Sequence, residues 1–291
     1  MTPDVSVIVP CRNAAAELGD QLRALAAQSH DGPWEVVVVD DGSTDGTSQV
    51  AEDHRPVLPA LTVVRRTGGG NVSAARNAGI AVARGDRLLF CDADDVVAPG
   101  WVAAMVEALA TADIVGGAMD AVPLNPAWVL GSRATQREGL QTADVAGWDL
   151  LHGGPGNLGI TRRLLDAIGP FDEDEGVARQ EGVDLFFRAQ LAGFTPAFAP
   201  DAVVAIRLRT SLRAVYRQAR GWAEGSVAIH RKFAPLGMPE PSRWRGLAAW
   251  VLVPLRFGAV RGRGDLARWV HLLGWRVGRL RGSVRERMLA P

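Results

Sequence analysis

Residues 35–47 read EVVVVDDGSTDGT. Four valines in a row, closed by two aspartates and a glycine, describe a strand buried on both faces that stops abruptly in a polar turn. Such near-continuous apolar runs belong to parallel sheets covered by helices on either side. The Ser, Thr and Asp that follow are helix-capping residues, and STDGTSQVAEDH (43–54) reads as a helix. One strand feeding one helix is half of a β-α-β unit. The question is whether the pattern continues in both directions.

It does. Upstream, VSVIVP (5–10) is a short β-branched strand, and AAAELGDQLRALAAQ (14–28) has helical spacing at Leu18, Leu22 and Leu25. Downstream, LTVVRR (61–66), SAARNAGIAVA (73–83) and DRLLFCD (86–92) give a third strand, a helix and a fourth strand. Alternation of this kind predicts an α/β fold, a Rossmann-like and mostly parallel sheet sandwiched by helices. Ligands of such sheets bind beyond the carboxyl ends of the strands. Pro10–Asn13, Asp40–Asp41 and Asp92–Asp95 all fall at those ends, so they are expected to share a crevice.

Within FCDADDV (90–96), three carboxylates occupy four residues. Like charges this close repel unless a cation or proton lies among them. One Asp suffices to cap a helix, and Asp95 is assigned to the helix starting near Pro99. The usual phosphate-binding devices are missing. VPCRNAAAE follows the first strand where Gly-x-Gly-x-x-Gly would stand, and Lys232 is the only lysine. TGGGN (67–71) follows the third strand and reads as a turn. Two or three aspartates at a strand end make a hard-oxygen site for Mg²⁺ or Mn²⁺, which would neutralise a diphosphate.

Charge is unevenly distributed although the net charge is zero. Residues 1–206 carry 28 acids and 14 arginines, whereas residues 207–291 carry 18 cations and four acids. An acidic nucleotide-handling half argues against nucleic acid as a partner, because phosphate backbones need cations. The basic tail is expected to meet an anionic surface or fold back on the acidic body. Cys11 and Cys91 lie far from any CxxC spacing and are expected to pack as reduced thiols, as in a cytoplasmic protein. MTPDVSVIVP is not a signal peptide, and GLAAWVLVPLRFGAV, with Pro254 and Arg256, is too short to span a membrane.

VSVIVPCRNAAAEL, EVVVVDDGSTDGT, NVSAARNAGIAVARGD and LLFCDADD stand in the order and spacing of the inverting family 2 glycosyltransferases, which have the GT-A fold. GNLGITRRLLDAIGPFDE (156–173) and EGVDLFFRAQLAGF (181–194) resemble that family's acceptor-side segments. The resemblance covers roughly residues 4–200. It implies a GT-A domain over 1–206, with a nucleotide-binding half to about 117 and an acceptor half from 118, and a basic helical region over 207–291. It further implies a nucleotide-diphosphate sugar donor and an acceptor hydroxyl on a lipid-linked, glycan or small-metabolite partner.

By position, Pro10, Arg12 and Asn13 would border the nucleobase. Asp41 would accept a hydrogen bond from a uracil-type imide, with Asp40 beneath it. Arg12 stands where an aromatic is frequent, and its planar guanidinium can stack on a base. Arg76 would reach the nucleotide, Asp92 the ribose or metal, and Asp94 the metal.

Family members commonly carry an adjacent Glu-Asp pair, with the Asp as base. Here Glu181 is followed by Gly182. Glu181 is the preferred base, and Asp184, three residues on, is the alternative unless it only pairs with Arg188. His152 is a further candidate by residue type. Gly182 also keeps open a different class of function, a catalytically silent sugar-nucleotide-binding or scaffold protein. A nucleotidyltransferase ranks below both.

In the tail, Gln218, Arg220, Gly221 and Trp222 resemble a degenerate Gln-x-x-Arg-Trp element. DLARWVHLLGWRVGRL (265–280) places apolar residues at 266, 269, 270, 273, 277 and 280 on one stripe. That helix is expected either to lie in a membrane interface, making the protein peripheral at the inner face of the cell membrane, or to pack on the body or a second copy.

Overall fold

The computed structural model describes residues 2–131, 136–143, 145, 147–288 and 290. Strands β1 (Val5–Cys11), β2 (Trp34–Asp41), β3 (Leu61–Arg66) and β4 (Arg87–Cys91) alternate with helices α1 (Leu18–Ala26), α2 (Thr47–Asp53) and α3 (Val72–Val82). They pair in parallel in the order β3-β2-β1-β4. All eight residues of β2 are buried, as its unbroken valine run requires. α3 lies so close to β1 that a Cβ on Gly79 would stand 2.5 Å from Ile8 Cγ2.

The second half continues the same sheet. After β5 (Val96–Val97) and α4 (Trp101–Ala108) come β6 (Ile114–Asp120) and the short α5 (Ala127–Leu130). β7 (Gln141–Thr142) and β8 (Leu151–His152) form a separate two-stranded ribbon. β9 (Asn157–Thr161) then enters the sheet antiparallel to both β4 and β6, and β10 (Ala197–Ala205) pairs in parallel with β6. Asn157 fastens this junction. Its amide donates to the carbonyls of Ala118 at 2.7 Å and Ala202 at 2.8 Å, and its oxygen accepts from Trp101 Nε1 at 2.8 Å. α6 (Arg162–Ile168) and α7 (Glu181–Leu191) cover one face.

Three helices follow: α8 (Leu212–Phe233), α9 (Arg243–Phe257) and α10 (Arg263–Glu286). α8 docks through Phe233, edge-on to Phe187 with centroids 5.4 Å apart, and through Lys232, which pairs with Asp172 at 2.6 Å and Asp184 at 2.5 Å. Tail cations also reach body acids in Arg207–Asp20, Arg209–Asp94 and Arg285–Glu175. The tail therefore does fold back on the acidic body in part.

α10 packs along α8, but not through the stripe expected from sequence. Its buried face is made of Ala267, Gly274, Gly278 and Gly282. A Cβ on Gly278 would fall 2.2 Å from the Arg220 carbonyl oxygen and one on Gly274 2.7 Å from that of Tyr216. Glycines allow the two backbones this approach, about 100° around the helix from the apolar stripe. The stripe itself stays half-buried, with Leu280 exposed. Among the described residues no helix is long and apolar enough to cross a membrane.

Asp95 caps no helix. α4 begins after Gly100, which has positive φ and provides no side-chain cap, and the Asp95 carboxylate accepts the Arg207 backbone N–H at 2.7 Å. Both cysteines are buried and unpaired, and burial pushes Cys11 up to about 12.

Candidate active site

The carboxyl ends of β1 and β4, the start of α7, the turn before β9 and the segment after β10 surround one cleft of about 1520 Å³. Pro10, Arg12, Asn13, Arg76, Asp92, Asp94 and Glu181 all line it, whereas Asp40, Asp41 and Asp184 do not.

Arg76 organises the centre. It projects from α3, which Asn71 caps by accepting the Ala74 N–H, and its side chain is almost fully buried. One guanidinium nitrogen donates to Glu181 Oε1 at 2.6 Å and the other to Asp92 Oδ1 at 2.9 Å. The Phe171 ring lies 5.6 Å from the guanidinium carbon. Arg76 Nε is buried and has no hydrogen-bond partner among the described residues. One cation thus joins the preferred base to the first aspartate of the acidic cluster.

Glu181 is the first residue of α7, and its preceding Gln180 is held by donating to the Trp222 carbonyl at 3.0 Å. Burial pushes the Glu181 carboxyl above the ordinary range, while Arg76 pulls against that shift. A carboxyl raised in this way is a suitable proton acceptor near neutrality.

Gly182 has no room for the aspartate common in relatives. A Cβ there would meet the Gly153 carbonyl oxygen and Pro155 Cδ, both at 2.8 Å. The turn before β9 occupies that space, which explains the departure.

Asp184 is a correction to the expected site. Its carboxylate is fully buried and outside the cleft lining, paired with Arg188 at 2.8 Å and with Lys232. Charges held that way fasten α7 to α8 and are out of reach of a substrate. His152 lines the cleft edge-on to Phe187, and burial pushes it down to about 4, so it is neutral.

Asp92, Asp94 and Asp95 all line the cleft, and Asp95 is the one engaged by the Arg207 N–H. Burial, and then the Asp92 charge, raise the Asp94 carboxyl. Arg209 reaches Asp94 at 3.1 Å. Sequence reasoning overlooked Arg209, which sits in IRLRT with no motif around it. It also overlooked Gly156, where a Cβ would stand 2.5 Å from Asp92 Oδ2. Gly156 opens the quoted GNLGITRR segment, and a glycine beside a proposed ligand strand was the available signal. Among the described residues no cluster of three His, Cys, Asp or Glu is present. The two aspartates nonetheless suit a hard divalent cation that takes its other oxygens from a diphosphate and water.

The expected base-reading residues are engaged by the turns that follow β2 and β3. Asp41 accepts from Arg66 and from the Gly70 N–H at 2.8 Å. Asp40 lies beneath it. Burial raises the Asp40 pKa, but hydrogen bonds from Ser43 and Ser48 outweigh this and leave it below the usual range. Asn13, in left-handed backbone conformation, accepts the Thr44 N–H at 2.8 Å and ties the ends of β1 and β2 together. Arg12 lies against Gly69 and Gly70, so the glycine-rich turn is a seat for Arg12 and Asp41. Of the degenerate tail element, Gln218 and Trp222 line the cleft, and Arg220 turns to Glu224 at 3.4 Å.

A mostly parallel sheet with an antiparallel insert at β9, flanked by helices and extended by a helical C-terminal region, is the GT-A fold. The family model "Glycosyl transferase family 2" matches residues 6–169. The chain belongs to that family and is a glycosyltransferase.

Among similar proteins, glycosyltransferase AglE of Haloferax volcanii is 27% identical over 273 residues, covering 86% of this chain and 81% of the relative. Beta-monoglucosyldiacylglycerol synthase of Synechocystis is 27% identical over 251 residues, covering 84% of this chain. This chain spans about half, 52%, of that relative's length. Among solved structures, mannosyltransferase PcManGT from Pyrobaculum calidifontis, in complex with GDP-Man and Mn²⁺, superposes with TM-score 0.63 at 22% identity, covering 96% of this chain and 88% of the other. S. aureus TarS 1–349 with UDP-GlcNAc gives TM-score 0.56 at 21% identity, covering 98% and 92%. These structural likenesses establish the fold.

Proposed function

We propose that the protein is a divalent-metal-dependent, inverting glycosyltransferase that moves a sugar from a nucleotide-diphosphate donor to an acceptor hydroxyl. The observation that carries this reading is the Arg76 bridge, which sets Glu181 beside Asp92 in a cleft that Asp94 also lines. The GDP-Man and Mn²⁺ of one structural neighbour and the UDP-GlcNAc of another support such a donor and a divalent ion, Mg²⁺ or Mn²⁺.

Asp92 and Asp94 would hold the metal, which supplies charge to offset the leaving diphosphate. Asp92 also lies within reach of a ribose. Arg76 favours the ionised form of Glu181 against its burial and leaves Nε to a donor oxygen. Glu181 takes the acceptor hydroxyl proton as the oxygen attacks the anomeric carbon. A single displacement inverts that centre. Pro10, Arg12 and Asn13 would border the base, whereas Asp41, the expected reader of its imide N–H, is buried outside the cleft lining on Arg66 and Gly70.

The work is divided between a GT-A body over 1–206, with its nucleotide half to about 117 and acceptor half beyond, and the basic helices of 207–291. A carboxylate at Glu181, lining the cleft and held by Arg76, supports the active enzyme over a silent sugar-nucleotide-binding protein. The name of the Synechocystis relative supports a lipid acceptor.

The deciding experiment measures free nucleoside diphosphate released from UDP-, GDP- and dTDP-sugars with Mn²⁺ or Mg²⁺, and then with EDTA. Release from one donor that needs metal and disappears in Asp94→Asn is expected. Metal-independent release, or release unchanged in Asp94→Asn, would sink the aspartate-pair reading.

A further inference from the structure

α9 presents an apolar face that is largely exposed among the described residues. Trp244, Leu247, Val251 and Leu255 recur at helical spacing along one side and are 75%, 51%, 62% and 65% exposed. Gly246 and Val253, on the other side, are buried. Exposed apolar surface of this size, gathered on one helix, marks an interaction site. Its setting identifies the partner. Between Glu240 and Asp265 the chain holds five arginines and no acid, and Arg256, Arg261 and Arg263 are exposed. Apolar side chains in a stretch of sequence rich in arginine and free of acids match an anionic bilayer surface, where the arginines meet headgroups and the stripe enters the acyl boundary.

We infer that α9 is the element that docks this enzyme on an anionic phospholipid bilayer. α10, the helix singled out by sequence periodicity, has its packing face on α8. The inference builds on the glycosyltransferase reading and narrows the acceptor to one borne by that membrane. Gly246 and Ala249 line the cleft from the same helix whose opposite side carries the stripe. A bilayer on the stripe therefore lies about one helix diameter, roughly 10 Å, from the cleft wall. An acceptor hydroxyl standing just above the headgroups could enter without leaving the membrane.

The test is flotation of the full chain with vesicles of phosphatidylcholine alone or mixed with phosphatidylglycerol. It is run beside Leu247→Glu/Val251→Glu and beside a milder Leu247→Ser/Val251→Ser pair. Both variants are checked for native melting and for donor release in solution. Expected is binding to the anionic vesicles only, weakened about tenfold or more in both variants while soluble donor release is unchanged. Absence of vesicle binding, or equal binding by wild type and both variants, overturns the inference. So does a concentration-dependent dimer that the same substitutions dissolve, since a second copy would then be the occupant. Because donor release is scored on the same samples, loss of the enzyme reading and loss of the docking reading are separate results.

Discussion

The Arg76 guanidinium stands 2.6 Å from the Glu181 carboxylate across a sequence separation of 105 residues. Strand-helix topology brings α3 and α7 to the same end of the sheet, and the pair forms where both are buried. A lone carboxylate in that position would be driven protonated. The arginine pulls it back toward the charged form that the proposed base needs, while its second nitrogen fixes Asp92.

That relationship predicts a pH effect. The guanidinium favours the ionised base, so Arg76→Gln raises the Glu181 pKa further. The acid limb of kcat against pH then moves to higher pH, because the base must be deprotonated to act. Arg76→Lys, which restores a cation, moves it back part of the way. Rates of sugar transfer from pH 5 to 9 decide it, and an acid limb that stays in place in Arg76→Gln would assign the base elsewhere.

Gly182 leaves no room for an aspartate after Glu181. With a Cβ at 2.8 Å from both Gly153 O and Pro155 Cδ, Gly182→Asp forces the turn before β9 outward. The expected loss is about 1–3 kcal/mol of stability, as for other overpacking changes. Activity should fall with it. Urea unfolding of Gly182→Ala and Gly182→Asp measures the effect, and a gain in turnover by the aspartate would contradict the packing account.

Gly156 and Arg209 act on the aspartate pair from opposite sides. Gly156→Ala puts a methyl into the Asp92 carboxylate, and displacement of a ligand by its support typically lowers metal affinity about 10–100-fold. Arg209→Ala removes a cation that pairs with Asp94 at 3.1 Å, so the metal needed for half-maximal donor release should fall. Mn²⁺ titration of donor release in the two variants should therefore move in opposite directions. Movement in the same direction would mean that Arg209 serves the donor instead of competing with the ion.

Lys232 links the tail to the body through two acids. Lys232→Met leaves the buried Asp184 with Arg188 alone, and breaking a buried pair typically costs about 3–5 kcal/mol. Asp172 adds a pH dependence. Burial raises its pKa, but Lys232 and the Asp174 N–H outweigh this and hold it below the usual carboxylate range. Its contribution to stability is present above the unfolded pKa and is lost as pH falls through the folded one. The melting-temperature gap between wild type and Lys232→Met should accordingly narrow in acid, and a gap that widens there would refute the pairing.

The sequence by itself determined the sheet. Valine runs with period-free burial and helices with 3.6-residue spacing are local signals, and β1 to β4 with α1 to α3 fall within a few residues of where they were expected. The aspartate pair was legible for a related reason, since like charges at a strand end have few other uses. Only tertiary structure decided which acids face the cleft. Glu181 and Asp184 share one helix and both carry a carboxylate, and they differ because Lys232, 48 residues beyond Asp184, engages one while Arg76 holds the other at the cleft. The tail was decided in the same way. α10 has the apolar stripe that periodicity detects, but its glycines let it approach α8 closely, and close approach is a property of two helices together. α9, hydrophobic nearly all round, gives no clear stripe in sequence, and its free face exists only because Gly246 and Val253 are the residues the body covers.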